Sequence, residues 1–144
     1  MDFFTALRVS GSGLSAERTR VNLASSNLAN AETTRGPDGQ PYKRLDPVFQ
    51  AVAMEGANAT PGAPGEKPMG VEVSQVVADQ TPGKRVYSPG HPDADADGYV
   101  ALPNVNVVTE MVDMMAATRA YEANIAALNA TKRVLEAALE IGRG

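Results

Sequence analysis

The two ends of this chain carry the same kind of segment, and the middle does not. Residues 3–33 and 105–141 are Ala-rich, have helical periodicity, and each holds an Asn-rich run. The first run reads Asn22-Leu23-Ala24-Ser25-Ser26-Asn27-Leu28-Ala29-Asn30 and the second Asn124-Ile125-Ala126-Ala127-Leu128-Asn129. A helix with an apolar stripe must bury that stripe against another element. Two such segments around a Gly/Pro-rich middle are therefore expected to pair with each other and with neighbouring copies. The expected fold is mainly α with a small β element. Long N- and C-terminal helices pair as a coiled-coil-like axial domain, and the middle is β-hairpin-like and loop-rich. Such a chain points toward assembly and away from catalysis.

The stripes follow a three-four alternation. In the first segment it runs through Phe4, Leu7, Gly11, Leu14, Arg18, Val21, Ser25 and Leu28. Gly11 and Gly13 weaken this helix by about 1 kcal/mol each relative to Ala. The run Thr33-Thr34-Arg35-Gly36-Pro37 stops it. The second stripe runs through Val107, Met111, Met114, Thr118, Tyr121, Ile125, Leu128, Leu135 and Leu139, interrupted by Lys132. Asn104 or Asn106 can cap its start, Glu110 and Asp113 suit the positive end of the helix dipole, and Gly142 is placed as a C-terminal cap. The Asn run at 22–30, with Asn22, Asn27 and Asn30, has two readings. Asn is a poor helix former, so the first run could mark a loop. Alternatively, Leu23 and Leu28 keep the apolar register, and buried amides would fix how the helices meet. The Met111, Met114, Met115 cluster is most simply core, or else an adaptable contact surface for non-identical neighbours.

The chain therefore divides into an N-terminal helix, 1–34, a middle segment, 35–104, and a C-terminal helix, 105–144. Within the middle, 55–70 has the composition of a mobile loop. Val71–Val77 alternates like a strand, and short strands fit 47–53, 84–87 and 98–102.

Composition narrows the function classes. Aromatics are 5% with no Trp, so the core is expected to be shallow. A net charge of -4 argues against general nucleic-acid binding. With no cysteine, disulfides, zinc-thiolate sites and Cys nucleophiles are excluded. Met1-Asp2-Phe3-Phe4-Thr5 lacks a basic region and an apolar core, so export without a cleaved signal peptide is expected.

Asp93-Ala94-Asp95-Ala96-Asp97-Gly98 is the most tempting ligand site. It matches the start of an EF-hand loop. The match then fails, because position twelve is Asn104 and Pro89, Gly90 and Pro92 deny the loop an incoming helix. A small calcium-binding module using Asp93, Asp95 and Asp97 is the alternative function, and a polar turn into a strand is the plain reading. His91 stands alone in Ser88-Pro89-Gly90-His91-Pro92, where a hydrogen bond or packing suits it better than a metal. No nucleophile elbow, P-loop or Rossmann pattern is present, so no catalytic residue, cofactor or metal is assigned.

Ser26-Asn27-Leu28-Ala29-Asn30-Ala31-Glu32-Thr33-Thr34 resembles the N-terminal signature shared by bacterial flagellar rod and hook proteins. Further stretches make the chain similar to the proximal-rod type. These are Val86–Val100, Pro103–Met114, Arg119-Ala120-Tyr121-Glu122-Ala123-Asn124 and the linker Gly36–Arg44. The resemblance implies a structural subunit of the basal-body rod, the drive shaft and export channel that crosses the periplasm. It implies export by the flagellar type III apparatus. As partners it implies copies of the chain itself, other rod proteins and the junction protein that joins rod to export gate. No nucleic acid and no small-molecule substrate is among them. The assembly interface expected on this basis comprises the large apolar members of both stripes, from Phe4 to Leu28 and from Met111 to Leu139, with Asn27, Asn30 and Asn124.

Overall fold

A computed structural model of the chain describes residues 3–54 and 69–142. It is mainly helical with a small β component. Helix α1 spans Phe3–Ala29 and helix α2 spans Val107–Ile141. Between them lie β1 (Leu45–Ala53), β2 (Met69–Ala78), β3 (Arg85–Tyr87) and β4 (Tyr99–Ala101). At 1.5 Å per residue the helices are roughly 40 and 52 Å long.

The helices run antiparallel, because residues early in α1 meet residues late in α2. Gly13 lies against Asn124, while Ser25 and Asn27 reach Met114 and Glu110. A Cβ on Gly13 would stand 3.0 Å from the Asn124 amide. The glycine that weakens the helix thus permits close approach of its partner, and α1 passes through Gly11 and Gly13 unbroken. α1 ends at Ala29, followed by a turn over 30–32, ahead of the expected breakers at 33–37. Asn30 N–H donates back to Ser26 and Asn27 carbonyls to close it.

β1 and β2 form an antiparallel hairpin with an irregularity between Val48 and Phe49, packed against α1. Ser12 Oγ accepts from Val71 N at 3.1 Å, tying strand to helix. Pro47 is tolerated because β1 is an edge strand. β3 and β4 form a second, separate two-stranded sheet. The strands expected at 47–53, 71–77, 84–87 and 98–102 are present, with β1 and β2 each extended by a few residues. The loop expected at 55–70 lies outside the described residues except for Met69 and Gly70, which belong to β2.

The expected shallow core is present. Among the described residues its buried apolar members are Ala16, Ala24, Val100 and Ala117, joined by buried Thr5, Asn27 and Glu110. The sequence stripes do not coincide with this inner side. On α1, the positions from Phe4 to Leu28 lie roughly 150° round the helix from the buried residues. On α2, the stripe is rotated by roughly 45° from Glu110 and Ala117. The inner face combines alanines with the buried polar side chains Thr5, Asn27 and Glu110, and close approach at Gly13 leaves no room for a larger side chain there.

Candidate functional site

Two features stand out, a buried polar clasp and an outward apolar face. The clasp is built where the last turns of α1, the linker into β1 and the first turns of α2 converge. Asn27 is 1% exposed, and its amide is fully used. Nδ2 donates to the Leu45 carbonyl and to Glu110 Oε2, both at 2.9 Å. Oδ1 accepts from Leu45 N and from the Tyr42 hydroxyl, also at 2.9 Å. Four satisfied positions on one buried amide make the interhelical reading of the Asn run the correct one at Asn27.

Glu110, 2% exposed, is the second member. Its carboxylate accepts from Arg44 Nε as well as from Asn27. Arg44 also bonds Asp46 and reaches Asp113 at 3.5 Å, and Asp113 in turn lies 3.6 Å from Arg20. A burial cost offset by guanidinium geometry is the usual condition for a carboxylate in such a place. The Arg44 guanidinium is lowered by burial but held above its ordinary value by its bonds and proximity to Glu110, Asp46 and Asp113. Asp46 is pushed above the usual carboxylate value. Burial is the main cause, opposed by Arg44, and Glu110, Asp79 and Asp113 add to the rise.

Glu110 and Asp113 therefore do more than suit a helix dipole. Asn106 supplies the cap, accepting from Val108 N and Thr109 N at 3.0 and 3.2 Å. Asn104 has a different task. It accepts from Arg44 N and donates to the carbonyls of Asp79 and Thr81, strapping the linker to the end of β2. Gly142 does sit at the C-cap but with φ of -75°, so its left-handed freedom is unused. Sequence reasoning missed Arg44 and Tyr42. The only available signal was a Lys43-Arg44 pair at the end of a polar linker, which reads as solvated.

The Asp93–Gly98 loop is engaged with its own protein. Asp93 accepts from the Thr34 hydroxyl at 2.8 Å and pairs with Arg35 at 3.2 Å. Asp95 accepts from Asp97 N and Tyr99 N at 3.0 and 2.8 Å and pairs with Arg85. These bonds hold the Asp95 carboxyl below its ordinary value, the Tyr99 N–H foremost. Gly98, with φ of 80°, closes the turn in a conformation that favours glycine. The His91 ring accepts from Asp93 N at 3.1 Å, so its role is a loop hydrogen bond. Among the described residues, no three His, Cys, Asp or Glu side chains gather as a metal would require. The pattern that resembles an EF-hand is the turn of the β3–β4 hairpin.

The stripe residues divide by position. Leu7, Leu14, Val21 and Leu28 on α1 and Asn30 in the turn after it are half-buried, as are Met114, Tyr121, Asn124, Leu128 and Leu135 on α2. Val21, Thr118, Tyr121 and Arg18 line an open groove between the helices, which continues past Met114, Met115 and Glu122. Phe4, Met111, Ile125 and Leu139 are exposed. Beside Met111 on α2 stand Val108, Val112 and Met115, at 70%, 59% and 55% exposure, which the stripe did not include. Spaced at i, i+3, i+4 and i+7, these four side chains form one continuous apolar stretch on the solvated side of the helix.

Residues 7–37 match the family described as flagella basal body rod protein. Residues 96–141 match the family described as flagellar basal body rod FlgEFG protein C-terminal. The chain is 48% identical to the flagellar basal-body rod protein FlgC of Salmonella typhimurium, over 94% of each chain. It is 42% identical to that of Yersinia enterocolitica, over 99% of this chain and all of the relative. It is 43% identical to that of Bacillus subtilis, over the same shares. The class is that of the structural proteins of the flagellar rod, a non-enzymatic role in the basal body. Within that class, the chain belongs to the FlgC family of flagellar basal-body rod proteins.

Proposed function

We propose that this rod subunit assembles through its helix pair, with segments 1–34 and 105–144 forming the axial part and 35–104 projecting from it. Copies of the chain and other rod proteins cover the open face of α2 and the groove beside Val21 and Tyr121. The observation that carries this reading is the exposure of large apolar side chains on the helices, Val108 at 70%, Phe4 at 67% and Leu139 at 60% among them. Covering such groups releases about 1.5–3 kcal/mol per fully buried side chain. A contact between two different patches of identical subunits propagates when its symmetry does not close, which suits a tube.

The finer placement rests on the resemblance of the sequence motifs to proximal-rod proteins. The rod would stand in the periplasmic space, next to the junction protein at the export gate. The chain would reach it through the type III apparatus.

Charged substitution at Val112 tests the assembly mechanism, because its side chain is exposed and its loss leaves the helix pair intact. Val112→Asp chain should be made and exported at normal levels, be absent from purified basal bodies, and leave cells non-motile. Normal recovery of this variant in basal bodies would refute the role given to the face.

A further inference from the structure

Three of the chain's six methionines fall at 111, 114 and 115. The fold separates them. Met111 and Met115, one helical turn apart, stand on the outward face at 47% and 55% exposure, beside Val108 and Val112. Met114 is half-buried and turned toward α1, where the Ser25 hydroxyl donates to its sulfur at 3.5 Å. The outer thioethers are open to solvent in the free subunit, and they lie on the face whose apolar character the assembly uses.

We propose that Met111 and Met115 form an oxidation site for a peroxide-class two-electron oxidant, and that sulfoxide formation there stops the subunit from entering the rod. In the step, a thioether lone pair attacks one oxygen of hydrogen peroxide and the O–O bond breaks. The departing hydroxide takes the proton from the new S–OH group, leaving a sulfoxide and water. The sulfur loses two electrons and the peroxide gains them. The product is a polar, strongly accepting group on a flexible stem. Because both side chains are exposed, oxidation leaves the helix pair folded. Its effect falls on contacts that would bury the face, where the sulfoxide oxygen has to give up water. A subunit already in place has these sulfurs covered, so the site reads the oxidation history of the unassembled pool. Methionine sulfoxide reductases would restore it.

The proposal rests on the reading of the α2 face as an assembly surface, and the experiment keeps the two apart. Cells building new rods receive a pulse of hydrogen peroxide. Peptide mass spectrometry then measures methionine sulfoxide in the free chain and in chain recovered from basal bodies. Met69, 51% exposed on the β1–β2 hairpin, is the reference for oxidant exposure. Sulfoxide at Met111 or Met115 should be depleted in basal bodies by about tenfold per site, while sulfoxide at Met69 divides evenly between the pools. A Met111→Leu, Met115→Leu chain should be incorporated equally with and without the pulse. In purified full chain at limiting peroxide, Met111 and Met115 should oxidise before Met114. Equal sulfoxide at Met111 and Met115 in both pools would overturn the proposal. So would equally strong exclusion of chain oxidised at Met69, or earlier oxidation of Met114. Val112→Asp distinguishes the failures. If that chain enters basal bodies normally, the assembly surface itself is wrong. If it is excluded while the sulfoxides enter freely, only the oxidation site falls.

Discussion

The inner and outer faces of α2 invert the usual distribution of side chains. Toward α1 and the linker the helix buries Glu110 and Ala117, a carboxylate and a methyl. Toward solvent it shows Val108, Met111, Val112 and Met115. A chain that had to be stable alone would place these the other way round, since large apolar groups carry most of the favourable free energy of burial. Here the inner face is specified by hydrogen bonds, ion pairs and close approach. The outer face holds apolar area in reserve. The contrast is a division of labour within the subunit: polar geometry fixes its shape, and the large apolar side chains of this helix stand outside that framework, where the proposed assembly would cover them.

The strongest way to break this comparison is at Arg44. Removing it strands Glu110, which is 2% exposed, without its cationic partner. Loss of one member of a buried pair costs about 3–5 kcal/mol, and the lower end applies because Arg44 is itself 22% exposed. Arg44→Ala should lower the urea midpoint of helix unfolding accordingly, and Glu110→Leu added to it should recover much of the loss. If Arg44→Ala unfolds like the parent chain, polar geometry does not hold the inner face.

A second substitution tests close approach. Ala117 is fully buried, at 0% exposure. Ala117→Leu forces extra methylenes between the helices and should destabilise by about 1–3 kcal/mol, although it improves the apolar pattern of the sequence. A stabilised variant, measured by thermal unfolding, would show that the helices have room that the geometry denies them.

The same two principles explain what the sequence disclosed. Helix existence, the strand positions and the Asn run were legible because period and capping are local properties. The facing sides were not. A heptad search follows large residues, so on α1 it selected Phe4, Leu7, Leu14, Val21 and Leu28. The inner face is made by Thr5, Ala16, Ala24 and Asn27. Half of the clasp was visible, since Asn27 could be read as a buried amide, but Arg44 becomes meaningful only when the linker folds back onto Glu110. The acidic loop misled for a related reason, because alternating Asp residues before a glycine also satisfy a tight turn. Leu128 is half-buried on the same side of α2 as Glu110 and Ala117, so a charge there would confound folding with assembly.

The β3–β4 hairpin offers a smaller effect that acid reveals. The Asp95 carboxyl is held below its ordinary value by Tyr99 N–H, then by Arg85 and Asp97 N–H. A depressed folded-state value means that the stabilisation is present above the unfolded carboxylate value and is lost as pH falls through the lower, folded one. On acidification the turn should therefore persist through the ordinary carboxylate range near pH 4 and open only below it. The Tyr99 amide shift followed by NMR reports this. Opening at or above the ordinary range would contradict the hydrogen bonding of the loop. Asp95→Asn should remove the acid transition while leaving the clasp around Arg44 unchanged.

The smallest expected effect on the isolated subunit is the most informative about the outer face. Met111 is 47% exposed, one turn from Met115, and has no part in the clasp. Surface substitutions away from caps and buried groups usually change stability by less than about 0.5 kcal/mol. Met111→Asp should therefore unfold at the same urea concentration as the parent chain. It should nevertheless fail to enter basal bodies, because the charge would have to be buried against a neighbour without a partner. A variant that is both less stable and still incorporated would assign Met111 to the subunit's own core and dissolve the contrast between the two faces. A variant equally stable and excluded would show that the apolar area on this helix contributes to the rod while contributing almost nothing to the subunit alone.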